Sequence, residues 1–346
     1  MASLPSKQEL KSSRRQLATV IDLNKCMGCQ TCTMACKSLW TQRAGTEPMR
    51  WASVATCPGV GYPRDWERKG GGYDAAGSPR PGVLTTRVDC GDHLEFNHAE
   101  LFGEAARPDT TLAPRASDGS TPRWGYNWDE DQGVGEWPNA YFFYMPRKCN
   151  QCSNAPCIDA CSRNAIQKRE DGIVVIDQER CAGHRHCVAA CPYSMIFFNP
   201  VSQKSEKCID CFPRVEQGIA PACNRQCPGR TRAYGYLDDP SSQVHQLVLR
   251  WKVALPLHPE YGTQPNVFYV PPLSPLAYDA EGRLSEAGRL PLRVLERYFG
   301  PAVRGALDTL VAERRRRQRG EPSELMDLLI SRRWTDRFAE FTREPA

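Results

Sequence analysis

No stretch of this chain approaches the ~18 consecutive apolar residues that a membrane-spanning helix requires. The N-terminal residues, Met1 to Arg15, are polar and lack the apolar core of a secretory signal. Ser13-Arg14-Arg15 matches a twin-arginine signal only superficially. Gln16-Leu17-Ala18-Thr19-Val20 behind it reads as a short strand leading straight to Cys26. The expectation is that the protein stays in the cytoplasm or leaves it folded, with a partner that carries the signal. No Gly-rich dinucleotide fingerprint stands beside a strand, and there is no P-loop. The six histidines form no metal-spaced constellation away from the cysteines. A net charge of +5 is too modest to argue for nucleic acid. A membrane span, a nucleic-acid binder and a self-sufficient nucleotide-dependent enzyme thus all lack support.

What the chain has is cysteine. Fifteen of its seventeen cysteines fall into four runs. The first is Cys26-x2-Cys29-x2-Cys32-x3-Cys36. The second is Cys149-x2-Cys152-x4-Cys157-x3-Cys161. The third is Cys181-x5-Cys187-x3-Cys191-Pro192, and the fourth is Cys208-x2-Cys211-x11-Cys223-x3-Cys227-Pro228. Disulfide scaffolds are short chains with cysteine above roughly 8–10%, and 17 in 346 falls below that. Structural zinc uses Cys-x2-Cys pairs split by a spacer, four ligands per ion. Runs one and three instead pack three or four cysteines into one loop, and runs three and four end in Cys-Pro. Thiolates are soft ligands, and such loops suit iron–sulfur clusters whose fourth ligand comes from elsewhere in the chain. Four runs imply four clusters in two pairs, a relay for single electrons. Cys57 and Cys90 stand alone and are expected to be buried thiols.

Strand, cysteine loop and short helix recur. Gln16–Leu23 alternates as a strand before run one, Tyr141–Met145 precedes run two, and Gly172–Asp177 lies between runs two and three. Ser194–Phe198 follows run three, and Ala233–Leu237 follows run four. The fold expected is α+β, with two nested bacterial-ferredoxin-like modules of two clusters each. One module comprises residues 16–36 and 201–237, and the other residues 141–200. Residues 37–140 read as a long irregular insertion, rich in Gly, Pro and Trp, that wraps the core or meets a partner. Its Trp66, Trp124, Trp128 and Trp137 are expected to pack. Residues 238–346 read as a proline-dense extended strap over Leu255–Leu276, then helices. One helix carries Leu292, Leu295, Phe299, Val303, Leu307 and Leu310, with a break at Gly300-Pro301. The next starts near Pro322-Ser323 and carries Leu325, Leu328, Leu329, Trp334 and Phe338. The basic cluster Arg314–Arg317 with Arg319 reads as a solvated helix end, the alternative being a docking patch for an acidic surface.

The stretch Cys181-Ala-Gly-His-Arg-His-Cys187-Val-Ala-Ala-Cys191-Pro-Tyr, with Lys204-Ser-Glu-Lys-Cys208-Ile-Asp-Cys211-Phe-Pro-Arg, closely resembles the beta subunits of respiratory nitrate reductases. Asp22-Leu-Asn-Lys-Cys26-Met-Gly-Cys29-Gln-Thr-Cys32, Pro63-Arg-Asp-Trp66-Glu, His258-Pro-Glu-Tyr-Gly262 and Tyr269-Val-Pro-Pro-Leu-Ser-Pro275 do so too. More narrowly, the chain resembles beta subunits of the second class of molybdoenzymes related to dimethyl sulfoxide reductase. That class includes dimethyl sulfide, ethylbenzene and steroid side-chain dehydrogenases and selenate, chlorate and nitrate reductases. The resemblance spans roughly residues 16–276.

It implies crosswise ligation. Cys26, Cys29, Cys32 and Cys227 would hold a first [4Fe-4S] cluster; Cys36, Cys208, Cys211 and Cys223 a second; Cys149, Cys152, Cys157 and Cys191 a third. Cys161, Cys181 and Cys187 are left for a fourth, one cysteine short. There His184 stands where a complete run has cysteine and where the nitrate reductases have Trp, beside a three-iron cluster. The fourth cluster is then [3Fe-4S] with His184 at the vacant corner, or [4Fe-4S] with His184 as a ligand, since imidazole can bind iron. The resemblance further implies a non-catalytic electron-transfer subunit of a heterotrimeric respiratory molybdoenzyme. A molybdenum-cofactor alpha subunit would lie nearest the Cys26 cluster, and a haem-b gamma subunit or cytochrome nearest the Cys161 cluster. It implies periplasmic location by co-export with a twin-arginine-bearing partner, the alternative being the cytoplasmic face of the inner membrane. A free polyferredoxin carrier is the competing function; the insertion and strap argue against it.

Overall fold

The computed structural model describes residues 5–59 and 137–344, with residues 82, 94–97, 100, 103, 114–116 and 134–135 between them. Trp66, Cys90, Trp124 and Trp128 lie outside the described residues.

The central sheet has four strands, in the order Arg232–Tyr236, Leu17–Asp22, Val267–Val270, Leu255–Pro256. Leu17–Asp22 runs antiparallel to Arg232–Tyr236, with Leu17 opposite Tyr236 and Ile21 opposite Arg232. It runs parallel to Val267–Val270, with Thr19 opposite Val267. All six of its residues are buried, because both faces of the sheet are covered. Ile21, Val267 and Tyr269 face the main core with Phe143, Met145, Tyr298 and Phe299. Ala18, Val20, Ala233, Phe268 and Val270 face the C-terminal helices through Leu247, Leu310 and Leu325. The period of two along each strand assigns alternate residues to the two cores.

The proline-dense segment is thus not only a strap. The apolar run Val267-Phe268-Tyr269-Val270 fits between Pro265 and Pro271, so no proline interrupts its ladder. Pro256 sits on the edge strand, where a missing N–H is tolerated.

Each middle cysteine run leads through a short helix into an antiparallel strand pair. Run two passes through Pro156–Ala160 into Ile166–Lys168 and Val174–Ile176. Run three passes through His186–Ala190 into Ile196–Asn199 and Lys204–Lys207. Run one leads into the helix Thr31–Trp40. The segment expected to begin an insertion at residue 37 contributes a strand, Ala52–Cys57, paired with Phe143–Lys148. Met49 and Trp51 are buried with Cys32, Cys36, Cys208 and Cys223. Cys57 is buried, as expected. Trp137, expected to pack, is instead 91% exposed.

The C-terminal helices are Leu292–Phe299, Val303–Gln318 and Glu324–Ile330. Gly300, at φ +70°, separates the first two as its Gly-Pro signal foretells. Ser323 caps the third, its Oγ accepting from Met326 N at 3.2 Å and donating to Glu313 at 2.6 Å. Trp334 and Phe338 do not lie on that helix. Ser331, at φ +46°, ends it, and Trp334–Arg337 forms a separate 3-10 turn. Phe338 and Phe341 then pack on Leu17 and Tyr234. In the basic cluster, Arg316 pairs with Glu313 at 2.9 Å, Arg317 with Asp327 at 3.2 Å and Arg319 with Glu321 at 2.6 Å. That fits the solvated helix end. A short N-terminal helix, Lys7–Lys11, closed by a Ser6–Glu9 capping box, reaches run two: Lys11 pairs with Asp159, and Lys7 Nζ donates to Ile158 O at 2.7 Å. Among the described residues no helix is long and apolar enough to cross a membrane.

Candidate iron–sulfur sites

The cysteine loops are built by residues in the left-handed region. In run one Gly28 has φ +70° and Gln30 φ +57°, and the helix bearing Cys32 and Cys36 follows. In run three Gly183 has φ +70° and Arg185 φ +61°, and the helix from His186 bears Cys187. Glycine is required at both positions. A Cβ on Gly28 would sit 2.6 Å from the Tyr144 ring, and one on Gly183 2.3 Å from the Gln203 carbonyl oxygen. The two loops correspond residue for residue, so His184 stands where run one has Cys29. Runs two and four turn through Gln151 (φ +49°) and through Asp210 and Cys211 (φ +48° and +54°).

The fifteen run cysteines gather into four groups. Cys26, Cys29, Cys32 and Cys227 line one cavity. Cys149, Cys152, Cys157 and Cys191 line a second. Cys161, Cys181 and Cys187 line a third, with His184 in its wall. Cys36 interacts with Cys208, Cys223 and Cys211, which form the fourth group. Neighbouring groups lie within electrostatic reach of one another, Cys32 of Cys223 and Cys208 of Cys149. Paired helices bridge the last two groups and the first two. The helices Pro156–Ala160 and His186–Ala190 pack together, with Cys157 and Cys161, and Cys187 and Cys191, at or beside their ends. Thr31–Trp40 packs likewise on Ala222–Arg225, which carries Cys223 and is followed by Cys227. Each helix thereby gives one cysteine to each of two groups. Among the described residues no three His, Cys, Asp or Glu side chains converge to hold a single metal ion.

Burial sets the electrostatics. It pushes the thiols of Cys26, Cys187 and Cys191 up to about 11 and that of Cys211 to about 12. Thiolates here therefore need positive charge, which iron and buried cations supply. Polar donors also reach the sulfurs. Trp40 Nε1 donates to Cys211 Sγ at 3.1 Å, Ala165 N to Cys161 Sγ at 3.3 Å and Asp210 N to Cys208 Sγ at 3.4 Å. Such bonds favour the more negative, reduced state of a bound cluster.

Three buried cations complete the sites, none of them singled out by the sequence reading. Lys148 pairs with Asp210, whose other oxygen accepts from Tyr234 Oη at 3.1 Å. Although burial opposes its charge, Asp210 and the thiols of Cys223 and Cys208 hold its pKa above the ordinary lysine value. Lys207 Nζ donates to the Val174 carbonyl and, at 2.8 Å, to that of Cys208. Burial opposes its charge too, and the thiols of Cys149, Cys157 and Cys208 more than restore it. Arg232 is buried, and none of its three side-chain nitrogens has a hydrogen-bond partner among the described residues. An arginine cannot shed its charge, so the site must contain an anion, as a thiolate-bound cluster would supply. These residues fit iron–sulfur clusters. A signal for two of the lysines was present: a basic residue, Lys25, Lys148, Arg180 or Lys207, directly precedes the first cysteine of every run. His184 is exposed, with Nδ1 3.0 Å from Ser162 Oγ and its ring 5.9 Å from that of His186.

The family described as a 4Fe-4S dicluster domain matches residues 140–237. The dimethylsulfide dehydrogenase subunit beta of Rhodovulum sulfidophilum is 52% identical over 326 residues, covering 94% of this chain and 98% of the relative. The selenate reductase subunit beta of Thauera selenatis is 52% identical over 330 residues, covering 94% and 99%. The respiratory nitrate reductase 2 beta chain of Escherichia coli is 35% identical over 415 residues, covering 87% and 80%.

Proposed function

The chain belongs to the family of iron–sulfur beta subunits of molybdoenzymes that includes those of dimethylsulfide dehydrogenase and of the selenate, chlorate and nitrate reductases, and from this we propose that it is the non-catalytic relay subunit of such a complex, with four clusters. The observation that carries the proposal is the gathering of fifteen cysteines into four separate groups that adjoin in series.

Three groups have four thiols each and suit [4Fe-4S] clusters: Cys26, Cys29, Cys32, Cys227; Cys36, Cys208, Cys211, Cys223; and Cys149, Cys152, Cys157, Cys191. The fourth, Cys161, Cys181 and Cys187, suits a [3Fe-4S] cluster with His184 beside the open corner. The second reading, His184 as fourth ligand of a [4Fe-4S] cluster, is favoured by its place in the cavity wall. When bound, the clusters supply centres that take up and release one electron at a time. The chain's residues do the rest. The paired helices fix neighbouring thiol groups at short separation, the apolar core excludes water, and the buried cations and sulfur-directed donors set how readily each group accepts negative charge.

The partners proposed are a molybdenum-cofactor alpha subunit on the Cys26 side and a haem-b gamma subunit or cytochrome on the Cys161 side. Location in the periplasm, reached folded on the partner's twin-arginine signal, follows from the same reading; the cytoplasmic face of the inner membrane is the alternative. The test is purification from the native cell under anaerobic conditions. The expected result is a complex in which this chain holds iron and acid-labile sulfide and a larger partner holds the molybdenum. A monomer free of molybdenum partners would instead identify a freely diffusing carrier. Cell fractionation decides the compartment.

A further inference from the structure

Arg232 has a chemistry that the packing of the chain does not explain. It lies on the edge strand Arg232–Tyr236 of the central sheet, opposite Ile21, and is 1% exposed. Among the described residues, its Nε and both terminal nitrogens lack a hydrogen-bond partner. A buried guanidinium with five unsatisfied N–H donors would cost several kcal/mol if nothing answered it. No carboxylate among the described residues pairs with it. The groups that interact with it are the thiols of Cys32, Cys223, Cys227 and Cys26, and it stands in the wall of the cavity lined by Cys26, Cys29, Cys32 and Cys227. Three of those thiols belong to the first group, while Cys223 belongs to the second. Arg232 therefore sits at the junction of two cysteine groups.

A second cation supports it. Arg337, from the C-terminal 3-10 turn, is buried, donates Nη1 to the Arg232 carbonyl at 3.2 Å and interacts with Cys227. Among the described residues, Lys25 and Arg230 line the adjoining cavity with both arginines, against the single carboxylate Asp22. The described charges lining this cavity are thus four cations to one anion. Placing so much positive charge next to Cys227 is tolerable only when the neighbouring group is strongly anionic.

We propose that Arg232 is the fixed counter-cation and hydrogen-bond donor of the first cluster, raising that cluster's reduction potential and reaching the second through Cys223. The proposal rests on the relay reading above and assigns a positioning and tuning role to a residue that is not itself a ligand. The physical reason is simple. Reduction adds one negative charge, and a permanent cation in a low-dielectric wall favours the more negative state. The guanidinium fork can also reach more than one sulfur at once, which an ammonium cannot do.

The test uses the complete complex with Arg232→Met, Arg232→Lys and the ligand variant Cys32→Ser. Paramagnetic resonance at controlled potential gives each cluster's midpoint, and iron analysis gives the loading. The signal lost in Cys32→Ser identifies the first cluster. In Arg232→Met its reduction equilibrium should shift at least tenfold toward the oxidised form, 59 mV for one electron. The third and fourth clusters should not move. Arg232→Lys, which keeps the charge without the fork, should fall between the variant and the wild type. Full iron loading with an unchanged midpoint in Arg232→Met overturns the proposal. If Arg232→Met loses the first cluster altogether, Arg232→Lys decides: recovery of the iron supports the counter-charge, and equal loss overturns it. Absence of all cluster signals from the wild-type complex would instead refute the relay reading.

Discussion

Lys148→Met removes the cation from the buried pair beside the second cysteine group. Lys148 and Asp210 side chains are 1% and 3% exposed, so water cannot take over from either partner. Deleting one member of such a pair costs ~3–5 kcal/mol, because the other charge stays buried and unpaired. Here the Asp210 carboxylate would keep the Tyr234 hydroxyl at 3.1 Å and face the thiols of Cys208 and Cys211 with no balancing charge. At about 1.4 kcal/mol per power of ten, the loss corresponds to roughly two to three and a half powers of ten in the folding equilibrium. The assay is guanidinium denaturation of the purified complex, followed by the visible absorbance of the clusters, with variants compared at the same incubation time. Lys148→Met should lose colour at a clearly lower denaturant concentration. Lys148→Met with Asp210→Leu should recover most of the loss, since replacing both members by apolar groups is often close to neutral. A Lys148→Met complex as resistant as the wild type would refute the reasoning.

Cys32→Ser should lose the first cluster and stall electron transfer between the proposed molybdenum partner and external dyes, because removal of one relay member lengthens a hop; unchanged dye reduction would contradict it. The air-oxidised complex should show the paramagnetic signal of an oxidised [3Fe-4S] cluster, and its absence in a fully loaded complex would favour His184 as an iron ligand. His184→Cys should remove that signal and lower the potential, because a thiolate adds negative charge. Leu325→Ala, at a fully buried position beneath the central sheet, should cost ~2–5 kcal/mol and loosen the C-terminal helices. Proteolysis of the C-terminal segment reads this out, and protection equal to the wild type would contradict it.

The four cysteine runs were legible because ligand spacing is local: a loop that wraps a cluster must be short. The crosswise gathering was not legible in spacing, since Cys227 and Cys26 meet only through the central sheet; it came from the resemblance. The strand Val267–Val270 was hidden by its neighbours, because proline density says nothing of a short proline-free run between Pro265 and Pro271. Trp334 and Phe338 continued the apolar spacing of the last helix, and only the positive φ of Ser331 separates them from it. Arg232 looks ordinary in sequence, and Lys148 and Lys207 are marked only by their place directly before the first cysteine of a run. Burial turns them into charged walls, and burial is a property of the assembled fold. Lys7–Lys11 is not legible because a polar, single-turn helix carries no periodicity; its hold comes from Asp159 and the Ile158 carbonyl.

The central claim is that four separate thiol groups hold four separate one-electron centres. Four ligand variants of the intact complex test it directly: Cys32→Ser, Cys211→Ser, Cys152→Ser and Cys187→Ser, each followed by paramagnetic resonance across a redox titration. The account predicts that each variant alters or abolishes a different iron–sulfur signal and leaves the other three in place. Two variants that remove the same signal, or a metal analysis that finds zinc in place of iron, would contradict it.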